Sequence, residues 1–111
     1  MKRAFPIALA AAALMLPVSA SVFAQAPIEV RLKNHRFTPS VIKLKANQPN
    51  MIMLFNDDDT ADEFDSSSLK IEKVVPGHAK GAIRVRALAP GKYPFMGEYH
   101  AATAQGVVIA E

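Results

Sequence analysis

The sequence predicts an all-β protein, a Greek-key β-sandwich of about seven strands. In several short segments apolar and polar residues alternate with a period of two, as in strands with one buried face. Turn-forming residues separate these segments at intervals of about 8 to 12 residues. After the first 24 residues, no segment keeps the 3.6-residue period of a long helix.

The first half of the domain contains three predicted strands. Residues 28–33 alternate apolar and charged side chains, and residues 41–45 do so again. Residues 34–39 break the alternation and end in a proline, which predicts a corner. Residues 50–55 are apolar at both parities, so we expect a strand that is covered on both faces, with its two methionines in the core.

The second half begins with an acidic segment. Six of the ten acidic residues lie in residues 57–65, which we interpret as a loop followed by a serine linker. Alternation and turn signals return after the linker. The remaining predicted strands are residues 69–75, 83–87, 93–95 and 107–110.

The first 24 residues have the layout of a secretory signal peptide. Lys2 and Arg3 precede an apolar stretch over residues 4–18, and small residues lead to a cleavage point after Ala24. The apolar stretch is short for a membrane span of about 20 residues. We therefore predict a removed leader over residues 1–24, one exported domain over residues 25–111, and a periplasmic protein that spans no membrane after cleavage.

Charge and cysteine content argue against nucleic-acid binding and against a disulfide-stabilised domain. Removing Lys2 and Arg3 from the 13 basic residues leaves 11 against 10 acidic residues, so the exported domain is nearly neutral. Nearly neutral charge and export together argue against nucleic acid as a partner. The chain has no cysteine, so the domain is held by packing or by a bound metal rather than by disulfides. The sequence leaves the oligomeric state open.

Metal-binding side chains gather in three segments that would meet at one end of the sandwich. No serine has the context of a hydrolase nucleophile, and no glycine-rich phosphate loop is present. Imidazole, carboxylate and thioether groups therefore carry the candidate chemistry. The predicted metal ligands are His35, Asp62, Glu63, Met96, Glu98 and His100.

Each candidate also has a plain structural interpretation. His35 could be an exposed corner residue, and Met96 could be core packing. The acidic run could be a solvated loop, as charge runs usually are. His78 lies in a Gly-His-Ala-Lys turn, and we interpret it as a solvated loop residue.

The candidate segments resemble the framework of cupredoxins. Residues 56–58 and 62–64 are similar to the cupredoxin segment Asn-x-Asp-x-x-x-His-Glu-Phe, with Asp62 where the first histidine ligand would be. In the last loop Gly97 stands in the cysteine position and His100 in the second histidine position. The axial methionine has no clear counterpart. The resemblance implies a cupredoxin-like sandwich whose metal site has lost its thiolate.

These departures resemble the EfeO-type cupredoxin-like family, and within it the small periplasmic FtrB-like group of ferrous-iron uptake systems. Shared motifs are His-x-Phe-x-Pro at 35–39, acidic-Glu-Phe at 62–64, Phe-x-Gly-Glu-aromatic-His at 95–100 and Ala-Thr-Ala-x-Gly at 102–106. The resemblance implies Fe²⁺ as the physiological substrate, with copper as an oxidising cofactor. It also implies an iron permease and other periplasmic components as partners.

The ligand types limit the metal without fixing it. A strong blue-copper site requires a thiolate and is excluded. Two imidazoles with two or three carboxylates suit iron, copper(II), manganese or zinc, so we expect iron and/or copper in a type-2-like site, with Mn or Zn as possible substitutes. Met96 as a ligand would favour copper, and Cu(I) in particular.

Three functions remain open at this point. The first is metal binding for iron uptake, either as a binder alone or as an accessory in Fe²⁺ oxidation. The second is a periplasmic copper carrier in which Met96 and the two histidines dominate. The third is a non-catalytic sandwich module with a vestigial site.

Overall fold

A computed structural model describes residues 3, 4 and 26–111. Apart from Arg3 and Ala4, the predicted leader lies outside the described residues and stays a prediction. Nine strands and one short 3₁₀ turn follow. They are β1 Ile28–Lys33, β2 Arg36–Thr38, β3 Val41–Leu44, β4 Asn50–Asn56, β5 Asp62–Ser66, β6 Ile71–Val75, β7 Lys80–Val85, β8 Gly91–Gly97, the turn Glu98–His100, and β9 Gln105–Ala110.

The strands form a two-layer sandwich, which confirms the predicted fold class. One sheet has the order β2-β1-β4-β7 and the other the order β3-β9-β8-β5-β6. The β1–β4 and β3–β9 pairs are parallel, and the remaining pairs are antiparallel. The chain therefore crosses between the sheets repeatedly, and segments far apart in sequence meet at the ends of the sandwich.

The two strands beyond the predicted seven, β2 and β5, arise where the sequence suggested a corner and a loop. Phe37 is buried between exposed Arg36 and Thr38, and this single inward residue anchors the three-residue β2. The segment Asp62–Ser66 is β5 rather than part of an acidic loop, so that interpretation was wrong. Its carboxylates do not prevent a strand because two of them take outward positions and alternate with the inward Phe64.

The expectation of a strand covered on both faces was also wrong. In β4, Ile52 and Leu54 are buried, whereas Met51, Met53 and Phe55 are only partly buried. The methionines therefore lie on the outer face of the sheet rather than in the core. The Arg31 guanidinium carbon lies 4.6 Å from the centre of the Phe55 ring and covers part of this face.

An aromatic cluster lies between the sheets, directly beneath the end that carries the candidate residues. The Phe64 and Phe95 rings stack with centroids 4.6 Å apart, and Phe37 meets Phe95 edge-on at 5.0 Å. Alternate residues of a strand share a face, so Asp62 points inward beside Phe64, and Gly97 lies on the inward side with Phe95. The packed rings thereby fix the strand ends from which the site is built.

Candidate metal centre

Two histidines that are far apart in sequence lie in contact at one end of the sandwich. The rings of His35 and His100 stack with centroids 3.6 Å apart and an interplanar angle of 11°. His35 comes from the β1–β2 corner, and His100 ends the turn after β8. Asp58 and Asp62 flank the two rings. We call His35, Asp58, Asp62 and His100 the histidine cluster.

The Asp58 carboxylate holds the corner that presents His35. Asn34 and His35 both have left-handed backbone conformations, with φ of 52° and 56°. Their backbone N–H groups both donate to Asp58, at 2.7 Å from Asn34 and 2.9 Å from His35. Burial would raise the pKa of Asp58, but the hydrogen bonds from His35 and Asn34, together with the nearby His35 and His100 rings, lower it below its ordinary value.

The Asp62 carboxylate holds His100. Asp62 is only 2% exposed, and its Oδ2 lies 3.0 Å from His100 Nδ1. Its Oδ1 accepts hydrogen bonds from the backbone N–H groups of Glu63, at 2.8 Å, and Tyr99, at 3.1 Å. A buried carboxylate is thus fully engaged beneath the imidazole, as buried polar groups require.

One buried nitrogen in the cluster has no hydrogen bond. His35 Nδ1 is shielded from solvent and lacks a hydrogen-bond partner among the described residues. It lies 3.4 Å from Asp58 Oδ2, but the contact does not have hydrogen-bond geometry. An unsatisfied imidazole nitrogen beside a second imidazole offers the type of donor that borderline metal ions prefer.

A second group of carboxylates lies on the outer face of the same strands. Glu63, Asp65 and Glu72 each place one oxygen within 4.8 Å of the others. Glu98 lies beside Glu63, whose charge raises the pKa of Glu98. We call Glu63, Asp65, Glu72 and Glu98 the carboxylate cluster. Burial, and then the charge of Glu63, also raise the pKa of the neighbouring Tyr99.

The six residues predicted from the sequence therefore divide between two places. His35, Asp62 and His100 belong to the histidine cluster, and Glu63 and Glu98 to the carboxylate cluster. Met96 is 40% exposed and pairs in register with Asp65, on the outer face. Adjacent residues of a strand point to opposite faces, and this separates Asp62 from Glu63. As metal ligands, all six stay a prediction.

Two acidic members of the outer cluster were missed by the sequence reasoning. Asp65 lies two residues after Glu63, so the alternation of β5 could have placed it on the same face. Glu72 is the register partner of Asp65 in β6. Its position depends on strand pairing between segments, for which the sequence carried no signal.

The other acids of the run have separate structural partners. Asp57 forms an ion pair with Arg31 at 3.0 Å. Asp59 Oδ1 lies 2.6 Å from His78 Nε2, with the His78 side chain 66% exposed. Both contacts lie outside the histidine cluster. His78 is therefore a surface loop residue, and it serves as an internal control for the two clustered histidines.

Crowding in the carboxylate cluster gives a pH-dependent prediction. Repulsion from Glu63, and then burial and the charge of Asp65, raise the pKa of Glu98 above its ordinary value of 4.5. The folded protein thus holds this proton more tightly than the unfolded chain, so ionising Glu98 lowers stability as pH rises through the interval between the two pKa values. Metal-free Glu98→Gln should match the parent at about pH 4 and melt at a higher temperature at about pH 7.

The measurement is a pair of thermal melts in chelator at each pH. Glu111→Gln is the matched control, because the Glu111 carboxylate faces Lys43 at 3.7 Å and gains nothing by neutralisation. A Glu98→Gln protein that melts no higher than the parent at about pH 7 would show that the cluster carries no net repulsion.

Among residues 3, 4 and 26–111, no helix is long and apolar enough to cross a membrane.

Sequence comparison matches the chain to a family model and to a related protein. A model described as a cupredoxin-like domain matches residues 6–110. An uncharacterized protein of Rickettsia prowazekii (strain Madrid E) is 35% identical over 82 residues, which cover 74% of this chain and 66% of that protein. The chain thus spans just under two thirds of the length of that relative.

Solved structures share the architecture at low sequence identity. The metal-binding domain of the Cu(I)-exporting P-type ATPase CopA of Streptococcus pneumoniae D39, with Cu(I), has a TM-score of 0.65 and 15% identity, covering 77% of this chain and 84% of that chain. Auracyanin A, a blue copper protein of Chloroflexus aurantiacus, has a TM-score of 0.65 and 13% identity, covering 78% and 98%. At these identities the likeness is one of fold.

Proposed function

Because this chain belongs to the cupredoxin-like domain family, we propose that it is a periplasmic metal-binding protein of an iron-uptake system. The observation that carries the metal-binding part is the stacked His35–His100 pair, with a buried carboxylate under one ring and an unsatisfied nitrogen on the other. A cation would satisfy the free nitrogen of His35 and balance the negative charge beside it.

The histidine cluster is the candidate copper site. His35 and His100 would supply imidazole nitrogens, which suit copper and zinc. The chain has no cysteine, so the bound copper would be type-2-like, without a thiolate ligand. Bound copper would supply a one-electron redox couple. The chain's own part is to keep the two rings together, through Asp58 at the corner and Asp62 under His100.

The carboxylate cluster is the candidate iron site. Glu63, Asp65 and Glu72 present only hard oxygen donors, which favour iron and manganese over Cu(I). Repulsion from Glu63 raises the pKa of Glu98, which supports an excess of negative charge at this cluster. Excess negative charge stabilises Fe³⁺ more than Fe²⁺, so the cluster would favour the oxidised ion once an external one-electron acceptor has taken the electron.

The role in iron uptake rests on the motifs. The segments 35–39, 62–64, 95–100 and 102–106 resemble those of the EfeO-type family, whose small periplasmic members serve ferrous-iron uptake. Three of these segments contain residues of the two clusters. An iron permease and other periplasmic components of the system are the proposed partners.

A copper carrier is the second candidate function. The exposed Met96 thioether on the outer face is the observation that favours it, because thioethers bind Cu(I). In such a carrier Met96 and the two histidines would dominate affinity for Cu(I), and the acids would be solvated. Loss of this chain from its cell should lower ferrous-iron uptake under the first proposal. It should lower copper tolerance under the second.

Titration of single variants tests the two-site proposal. Isothermal titration with Cu²⁺, and with Fe²⁺ under anaerobic conditions, should show at least a tenfold loss of Cu²⁺ affinity in His35→Ala and His100→Ala. Fe²⁺ affinity should change little in these variants and fall by a similar factor in Glu63→Ala.

Two control variants remove a histidine and an acidic residue that lie outside the two clusters. His78→Ala removes an imidazole outside the cluster and should change nothing. Asp57→Ala removes an acid that pairs with Arg31 and should weaken binding only slightly, through long-range attraction. Small and uniform losses across all acidic variants would mean a diffuse negative patch, and a parent protein that binds no metal would indicate a vestigial site.

A further inference from the structure

We propose that Asp62 is not a metal ligand but a positioning residue, which fixes the tautomer of His100 and builds the turn that presents it. The inference rests on the proposed function only for the purpose of the positioned His100 nitrogen, which is metal binding. The contacts that carry it belong to the protein alone, and the decisive measurement is made without metal.

The Asp62 carboxylate has three partners within the fold. Oδ1 accepts hydrogen bonds from the backbone N–H groups of Glu63 and Tyr99, and Oδ2 contacts His100 Nδ1. The residue is 2% exposed, on the inward face of β5. Direct ligation would require Asp62 to give up a partner or to turn toward solvent, and each change would leave a buried donor unsatisfied.

The contact with Oδ2 determines which nitrogen of His100 carries the proton. A carboxylate that already receives two backbone N–H groups acts as an acceptor, so Nδ1 of the neutral ring must be the donor. The second nitrogen, Nε2, then keeps its lone pair. Metal-binding histidines are commonly oriented in this way by a carboxylate on the opposite nitrogen.

Asp62 also replaces a missing helix cap. The turn Glu98–His100 begins after Gly97, which has no side chain to cap it. A capping side chain would accept a hydrogen bond from the N–H of the second or third residue of the turn. Asp62 Oδ1 accepts from Tyr99, the second residue, and so performs this role from β5.

The space around Gly97 supports the same assignment. A Cβ at position 97 would lie 2.6 Å from Asp62 Oδ2 and 2.8 Å from Ala104 Cβ. The Asp62 carboxylate therefore fills the volume that a side chain at 97 would occupy. Glycine at 97 and aspartate at 62 form one unit, in which the neighbouring strand supplies the missing side chain.

Asp62→Asn is the decisive variant because it keeps the shape and changes only the donor pattern. The amide oxygen can still accept from Glu63 and Tyr99, which turns the amide NH₂ toward His100 Nδ1. Nδ1 must then accept, and the proton moves to Nε2. Nitrogen-15 NMR of metal-free protein at about pH 8 should show Nδ1–H in the parent and Nε2–H in Asp62→Asn.

The matched control is Asp59→Asn, which changes the other aspartate–histidine contact, to His78 at 2.6 Å. It should leave the His100 tautomer unchanged. In Asp62→Asn, Cu²⁺ affinity should fall about 10- to 100-fold with little loss of stability. A parent with Nε2–H, or an Asp62→Asn protein that keeps Nδ1–H, would overturn the proposal. If the parent binds no metal, the proposed function fails, and the tautomer still decides the role of Asp62.

Discussion

Gly106→Ala should lower the free energy of unfolding by about 3 kcal/mol, at the upper end of the usual cost of overpacking a core. A Cβ at position 106 would overlap Cζ of Phe95 and lie 2.7 Å from the backbone oxygen of Ser40. Phe95 is buried and stacked on Phe64 in the aromatic cluster. The Ser40 oxygen is held by the N–H of Val107 at 2.9 Å. Neither neighbour can move without breaking a contact.

Urea unfolding of metal-free protein measures this loss, provided that the slope with denaturant stays constant. Gly91→Ala is the matched control, since its new Cβ would meet only the Tyr93 ring at 3.7 Å, an ordinary contact. Gly106→Ala with Phe95→Leu should recover part of the loss by making room. Equal stability of Gly106→Ala and Gly91→Ala would contradict the close packing between β9 and the aromatic cluster.

Saturating Cu²⁺ should stabilise the protein by about 2.7 kcal/mol at one hundred times the dissociation constant. For a domain of this size, the melting temperature would rise by about 10 °C or more. The physical reason is that a cation bound only by the native state satisfies the free imidazole nitrogen and the acids beside it. The loaded protein should show no intense blue band, because the chain has no cysteine to provide the thiolate.

Thermal melts with and without Cu²⁺ test the stabilisation, and excess chelator should reverse it. His100→Ala should lose most of the shift, whereas His78→Ala should retain it. Melting curves that coincide for the parent with every metal tested would count against a native site. A strong blue absorption would contradict the thiolate-free assignment.

The sandwich could be predicted from the sequence because most of its strands alternate cleanly. Val30 and Leu32 in β1, or Ile83 and Val85 in β7, mark the inward face by themselves. Placing the first corner, the acidic segment and the last turn at one end of the sandwich also brought His35 near His100, as the structure has them.

The division of the site was harder to predict, because it depends on the face of one strand. In β5 the only apolar residue is Phe64. Alternation places Asp62 on the same inward face, but a charged side chain is expected to face solvent. Burial of Asp62 becomes favourable only when Tyr99 and His100 arrive from β8 and its turn to satisfy it. The expectation that β4 is covered on both faces failed for a similar reason. The apolar residues on its outer face are covered only in part, and the cover over Phe55 comes from Arg31 on a neighbouring strand.

The position of β9 links the contact between His35 and His100 to the assembly of the second sheet. This last strand lies between β3 and β8, and its register with β3 joins residues near 41 to residues near 107. His100 lies in the connection between β8 and β9, so the pairing of β9 with β3 helps to bring the turn of His100 next to the corner of His35. Contact between the two histidine rings would then report that both sheets have assembled, and a partly folded chain would lack it.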